Sequence, residues 1–215
     1  LSNDDDLRVD RVTSVQALDG LEPHWRALEE LADCNSLFLG WDWQRLWWRH
    51  YGGERQLCVL VAWRDDRLVG VLPLYLETHR AFGLLPVRKL LPIGAGGDTS
   101  PDDLGMLCEP TVGEAAGRAL VDHLLHHVSG WQLIDLVDLP VGGILVRCMA
   151  EAFATKPDLM QSTGVNRITY GTAFGLGQLP PKPQPQPSRS HRPKAPPIRT
   201  GVWRALQPCG RKGAD

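Results

Sequence analysis

The sequence predicts a mixed α/β fold (α+β in stricter usage), a largely antiparallel sheet with helices on its faces. Three observations predict it. Strand-like and helix-like segments alternate up to about residue 160. Two apolar strand-like runs are joined by the short acidic turn Asp65–Asp66. Of the 215 residues 43% are hydrophobic, enough for a sizeable core.

The first element is "LRVDRVTSV", Leu7–Val15, whose apolar and polar residues alternate as in a half-buried strand. "GLEPHWRALEELAD" follows, with Leu21, Trp25, Leu28 and Ala32 at helical spacing. Pro23 fits its first turn, where a missing N–H costs nothing. "DWQRLWWRHYGG" reads as a second helix, stopped by Gly52–Gly53. "LCVLVAW" and "LVGVLPLYL" form a hairpin, and their near-continuous apolar character predicts cover on both faces. "VRKLLPIG" is the next strand and "DDLGMLCE" another. "GEAAGRALVDHLLHHV" is an amphipathic helix with Ala116, Leu120, Leu124 and Val128 on one stripe. "WQLIDLVDLP" alternates as a strand, and "GGILVRCMAEAFAT" is the last helix before Pro157. No internal repeat and no heptad pattern is present.

Beyond this body the composition changes. Leu1 to Thr163 carry 14 Lys and Arg against 24 Asp and Glu, whereas Gly164 to Asp215 carry 9 against one. Here stands "FGLGQLPPKPQPQPSRSHRPKAPPIRTG", Phe174–Gly201. The expectation is a folded unit over residues 1–160 and a disordered, basic, Pro/Arg-rich tail over 161–215. Basic charge attracts acidic surfaces, but no specific nucleic acid is expected as a partner. A rival reading is a binding module whose "PPKPQPQP" adopts polyproline II and docks in SH3-type grooves.

The five cysteines are scattered with no C-x-x-C pair, which argues for buried thiols in a reducing cytoplasm. No apolar run approaches the roughly 20 residues of a membrane span. The acidic start "LSNDDDLRVD" is unlike a signal peptide.

Several clusters invite chemistry. Trp41, Trp43, Trp47 and Trp48 stand beside Arg45, Arg49 and His50. They form either a stacking platform for a base or sugar or the buried face of a helix. "DTSPDDLGMLCEP" gathers Asp98, Asp102 and Asp103 in a loop. Such carboxylates bind a metal, take a proton from an amine, or simply face solvent. No His stands near enough to complete a metal set, and His123 with His127 lack a third ligand, so no metal is expected. "PIGAGGD" and "AFGLGQ" are glycine-rich but fit neither a Walker loop nor a dinucleotide fingerprint.

Taken in order, "LEPHWRALEELAD", "LFLGWDWQRLWWRHYGG" and "LCVLVAWRDDRLVGVLPLYLE" resemble the N-terminal half of a bacterial acyltransferase family. It is the CelD-like family of cellulose-biosynthesis acetyltransferases within the GNAT superfamily. "SPDDLGMLCEP" and "WQLIDLVDLP" are similar to its later landmarks, and the resemblance covers roughly residues 9–155. One departure is Asp103, where relatives often carry an aromatic residue or His.

The resemblance implies two GNAT-like units in tandem, the second receiving acyl-CoA as co-substrate. An amine or hydroxyl of a small-molecule or polysaccharide-precursor acceptor would attack the thioester. Backbone N–H groups at a helix N-terminus would hold the pyrophosphate, and a carboxylate or water would remove the proton. The phosphate-loop pattern [RQ]-x-x-G-x-[GA] is missing from this sequence. Within the first unit the candidates are Asp102 and Asp103 as carboxylates, with Trp43 and Tyr75 as walls.

Relatives continue with a segment like "WDSYLQSLSRNHR". Synonymous codons for Leu176 to Arg189 can be chosen so that dropping one base spells those residues. The tail is therefore expected to be a frameshifted reading of the second unit, leaving the product inactive or nearly so.

Overall fold

One mixed sheet of eight strands organises the computed structural model, which describes residues 7–32, 36–81, 85–154, 160–165 and 200–206. The chain runs β1 (Leu7–Val12), α1 (Val15–Gly20), α2 (Glu22–Leu31), a 3-10 turn (Leu37–Leu39) and α3 (Trp41–Tyr51). It continues through β2 (Gln56–Arg64), β3 (Arg67–Ala81), β4 (Leu85–Pro92), β5 (Leu107–Cys108) and α4 (Gly113–His127). The last elements are β6 (Leu133–Pro140), α5 (Ile144–Ala154), β7 (Met160–Val165) and β8 (Thr200–Leu206).

In space the strands lie in the order β1-β2-β3-β4-β6-β8-β7, with β5 paired to β3 off that path. Every pairing is antiparallel except β4 with β6. On the edge away from β2, the 15-residue β3 serves two partners: Gly70–Val71 pair β5, and Leu74–Ala81 pair β4.

Both faces of the central strands are covered, as their apolar runs predict. Successive residues of a strand point to opposite faces. On one face Gly70 offers no β-carbon, so Ala116 and Leu120 of α4 lie 3.2 Å from where one would stand. On the other, Trp47 of α3 packs on Tyr75, ring centres 5.4 Å apart. The predicted stripe of α4 is buried throughout: Ala116, Leu120, Leu124 and Val128 are each 4% exposed or less. The tryptophans take the core reading, since Trp41, Trp47 and Trp48 are buried and Trp43 is half-buried.

The structure departs from the sequence pattern in identifiable places. The first strand ends at Val12 rather than Val15, because the Ser14 side chain accepts from Ala17 N–H and starts α1. The helix expected from Gly20 begins at Glu22, after the chain turns at Leu21. Of "DDLGMLCE" only Leu107–Cys108 pair as a strand, since Asp103 (φ 53°) and Gly105 (φ 150°) leave extended geometry. Within the expected tail, β7 and β8 form an antiparallel pair at the sheet edge, and β8 pairs with β6. Residues 166–199 and 207–215 of that tail lie outside the described residues. Among the described residues no helix is long and apolar enough to cross a membrane.

Candidate functional site

The junction of β4 and β6 is where an open sheet of this kind takes a ligand, outside the carboxyl ends of parallel strands. The two strands pair only through Lys89 with Leu133 and Leu90 with Ile134. Past those residues the chain leaves β4 at Pro92 and crosses the end of the sheet before entering α4.

The first part of that crossing is fixed by α3. Gln44 Nε2 donates to the Phe38 carbonyl at 2.6 Å and to the Ile93 carbonyl at 3.1 Å. Trp47 Nε1 donates to Thr99 Oγ1 at 3.1 Å, and Tyr75 OH donates to the Ala95 carbonyl at 2.7 Å. Gly94 (φ 113°) and Gly97 (φ 68°) leave room for the rings of Trp43 and Tyr51. The glycines of "PIGAGGD" thus serve close packing against aromatic side chains.

The second part carries the acidic residues. Leu104 N–H donates to the Asp138 carbonyl of β6 at 2.8 Å, and Leu104 is fully buried. This bond ties the crossing across the mouth of the junction. Asp98 and Asp102 are exposed. Asp103 is half-buried with left-handed backbone, and its Oδ1 is shielded from solvent without a hydrogen-bond partner among the described residues. Trp43 and Leu104 both pack against Gly94, and Asp103 precedes Leu104 in the chain. Tyr75 is 1% exposed, beneath the same turn. Burial first, and Glu77 next, hold its phenol well above the usual range, with Arg55 opposing.

A carboxylate that the sequence pattern did not single out lies nearby. Glu109 is 7% exposed, receives the Thr111 hydroxyl at 2.7 Å, and stands 2.7 Å from an Arg67 guanidinium nitrogen. Nothing in its spacing marks it, since its partner Arg67 enters from β3.

The helix start that would hold a pyrophosphate is that of α4. No side chain caps it. Its first turn bears Glu114, gripped by Arg147 of α5, where a bound anion would meet a negative charge. A β-carbon on Gly113 would lie 3.0 Å from Ile144, so α5 closes over that turn. One cavity at this end of the sheet is about 100 Å³, lined by Leu104, Met106, Leu139, Pro140 and Ile144 among others, and another of about 330 Å³ is lined by Leu39, Trp43 and Leu107 among others. Small-molecule sites usually offer about 300–1,000 Å³. Among the described residues, the α4 start, with Glu114 in its first turn and Ile144 over it, does not fit a pyrophosphate.

His123 and His127 lie side by side on α4, ring centres 4.9 Å apart. Burial, the neighbouring His127 and Arg11 hold the His123 imidazole below its ordinary range. Among the described residues no three His, Cys, Asp or Glu side chains gather in a metal-holding group.

No family model matches the sequence, and no curated protein matches it. Among solved structures, the chain is similar to yncA of Salmonella typhimurium, named as an acetyltransferase and solved with acetyl-CoA. That likeness has a TM-score of 0.45 and 10% identity, covering 98% of this chain and 99% of that one. A GNAT-family acetyltransferase of Streptococcus pneumoniae gives 0.44 and 8%, covering 93% and 97%. The ribosomal-protein-S18-alanine N-acetyltransferase of Escherichia coli gives 0.46 and 12%, covering 97% and 99%.

Proposed function

We propose that this chain carries the non-catalytic unit of an acyl-CoA-dependent acyltransferase of GNAT type. The reaction of the whole would move an acyl group from a thioester to an amine or hydroxyl of a small-molecule or polysaccharide-precursor acceptor. The proposal rests on the ordered motifs from "LEPHWRALEELAD" to "WQLIDLVDLP". The observation that carries the non-catalytic part is the start of α4: its first turn bears Glu114 and is covered by Ile144 of α5.

Under this reading the acyl donor binds in a second unit. Asp102 and Asp103 are the carboxylates this unit presents toward a site completed there. Asp103 is the better placed of the two, because its shielded oxygen has no partner among the described residues. Trp43 walls the crossing and Tyr75 props it from below. The residues from about 160–175 onward are read as the second unit out of frame.

The experiment compares coenzyme A release by the 215-residue chain with release by a protein in which a one-base shift restores "WDSYLQSLSRNHR" and its continuation. Turnover is expected only from the restored protein. Silence of the restored protein toward a range of acyl-CoA donors and amine or hydroxyl acceptors sinks the acyl-transfer reading.

A further inference from the structure

Where β2 begins and α3 ends lies a further cavity of about 760 Å³. Arg11 of β1, Arg45 and Arg49 of α3, Arg55 ahead of β2 and Arg88 of β4 all line it. Among the described residues no Asp or Glu lines it. Its apolar surface comes from Trp48, Leu57, Leu76, Leu90 and Val128.

Two of these arginines are already occupied. Arg45 pairs with Asp19. Arg55 pairs with Glu77 at 3.1 Å and donates to the Tyr51 carbonyl, closing the end of α3. Among the described residues the Arg88 guanidinium bonds the neutral Gln56 oxygen, at 2.9 Å, and no carboxylate. Arg11 and Arg49 have no carboxylate partner among the described residues. Three guanidinium groups therefore share one concavity without a matching negative charge. Arginines gathered in this way suit phosphate, because the planar fork gives two parallel hydrogen bonds to one group. The volume is that of a small-molecule site. The acidic body, with 14 basic against 24 acidic residues up to Thr163, disfavours a nucleic-acid strand as occupant.

We propose that this cavity binds a small, multiply charged anion of phosphate type, its head between Arg11, Arg49 and Arg88 and an apolar body against Trp48, Leu76 and Leu90. The proposal is independent of the acyl-transfer reading, since the cavity shares no lining residue with the start of α4 or the pocket beside it. It gives the unit a ligand of its own.

The test is calorimetric titration of the full 215-residue chain with inorganic pyrophosphate, and with citrate as a carboxylate of comparable charge. Pyrophosphate is expected to bind more tightly than citrate, and more weakly as salt rises. Arg49→Gln and Arg88→Gln are each expected to weaken pyrophosphate about tenfold, the loss of one charge-assisted pair. Arg64→Gln, at the far end of β2, is expected to leave it unchanged. Thermal unfolding of each variant shows that it is folded. No binding at millimolar pyrophosphate, tighter binding of citrate, or equal weakening by Arg64→Gln would overturn the proposal.

Discussion

A β-carbon on Gly94 would stand 2.8 Å from the Trp43 ring, at a backbone φ of 113° that side chains rarely adopt. The turn leaving β4 and the tryptophan of α3 are therefore fitted to one another at van der Waals contact. Gly94→Ala is expected to destabilise the protein by about 2–4 kcal/mol, combining backbone strain with overpacking. Urea unfolding measures it. Adding Trp43→Leu should recover only the overpacking part, because the φ remains.

Tyr75 tests the same turn from below. Tyr75→Phe removes the donor to Ala95, whose residue is 2% exposed, and leaves a buried carbonyl unpaired. The expected cost is about 1–2 kcal/mol in urea unfolding. The Arg55 guanidinium, 5.4 Å over the ring, keeps its cation–π contact with phenylalanine, so packing should be little altered.

The contact of α4 with α5 depends on Gly117. A β-carbon there would lie 2.7 Å from the Ile144 branch methyl and 3.0 Å from the Cys148 sulfur. Alanine gains about 1 kcal/mol of helix propensity, while overpacking costs about 1–3 kcal/mol. A double-mutant cycle of Gly117→Ala with Ile144→Ala should show a coupling of about 1 kcal/mol or more. Additive effects would mean that the helices are not in contact there.

His123 gives the protein a pH dependence of defined sign. Its folded imidazole is held below the ordinary value of 6.5, mainly by burial and then by His127 and Arg11, with Asp10 and Asp122 pulling the other way. The unfolded chain therefore takes up the proton first as pH falls below 6.5, and stability drops. Above that value both states are neutral and the stability is fully present. The urea midpoint should fall between pH 7.5 and pH 5.5, and His123→Gln should flatten that fall.

Periodic elements were legible in the sequence because one side of each must be buried. The α4 stripe and the central hairpin are examples, and the tryptophans of α3 follow the same rule. The α1 helix was hidden because the alternation of β1 runs on into Ser14 and Val15, and only the Ser14 cap marks the change. The glycines of "PIGAGGD" matched no phosphate-loop pattern, and Gly94 and Gly97 make room for Trp43 and Tyr51 from a helix some fifty residues earlier. The Leu104–Asp138 bond that ties the crossing to β6 is a backbone contact, which no side-chain pattern records. The arginine cavity joins four separate segments, so its charge is visible only once the sheet is assembled.

The central claim is that this unit, with the start of α4 covered, does not process acyl-CoA by itself. The most direct measurement is coenzyme A release from acetyl-CoA by the 215-residue chain across a panel of amine and hydroxyl acceptors. The account predicts release no faster than in buffer. Turnover in the ordinary enzyme range, about 1–1,000 per second, would contradict it.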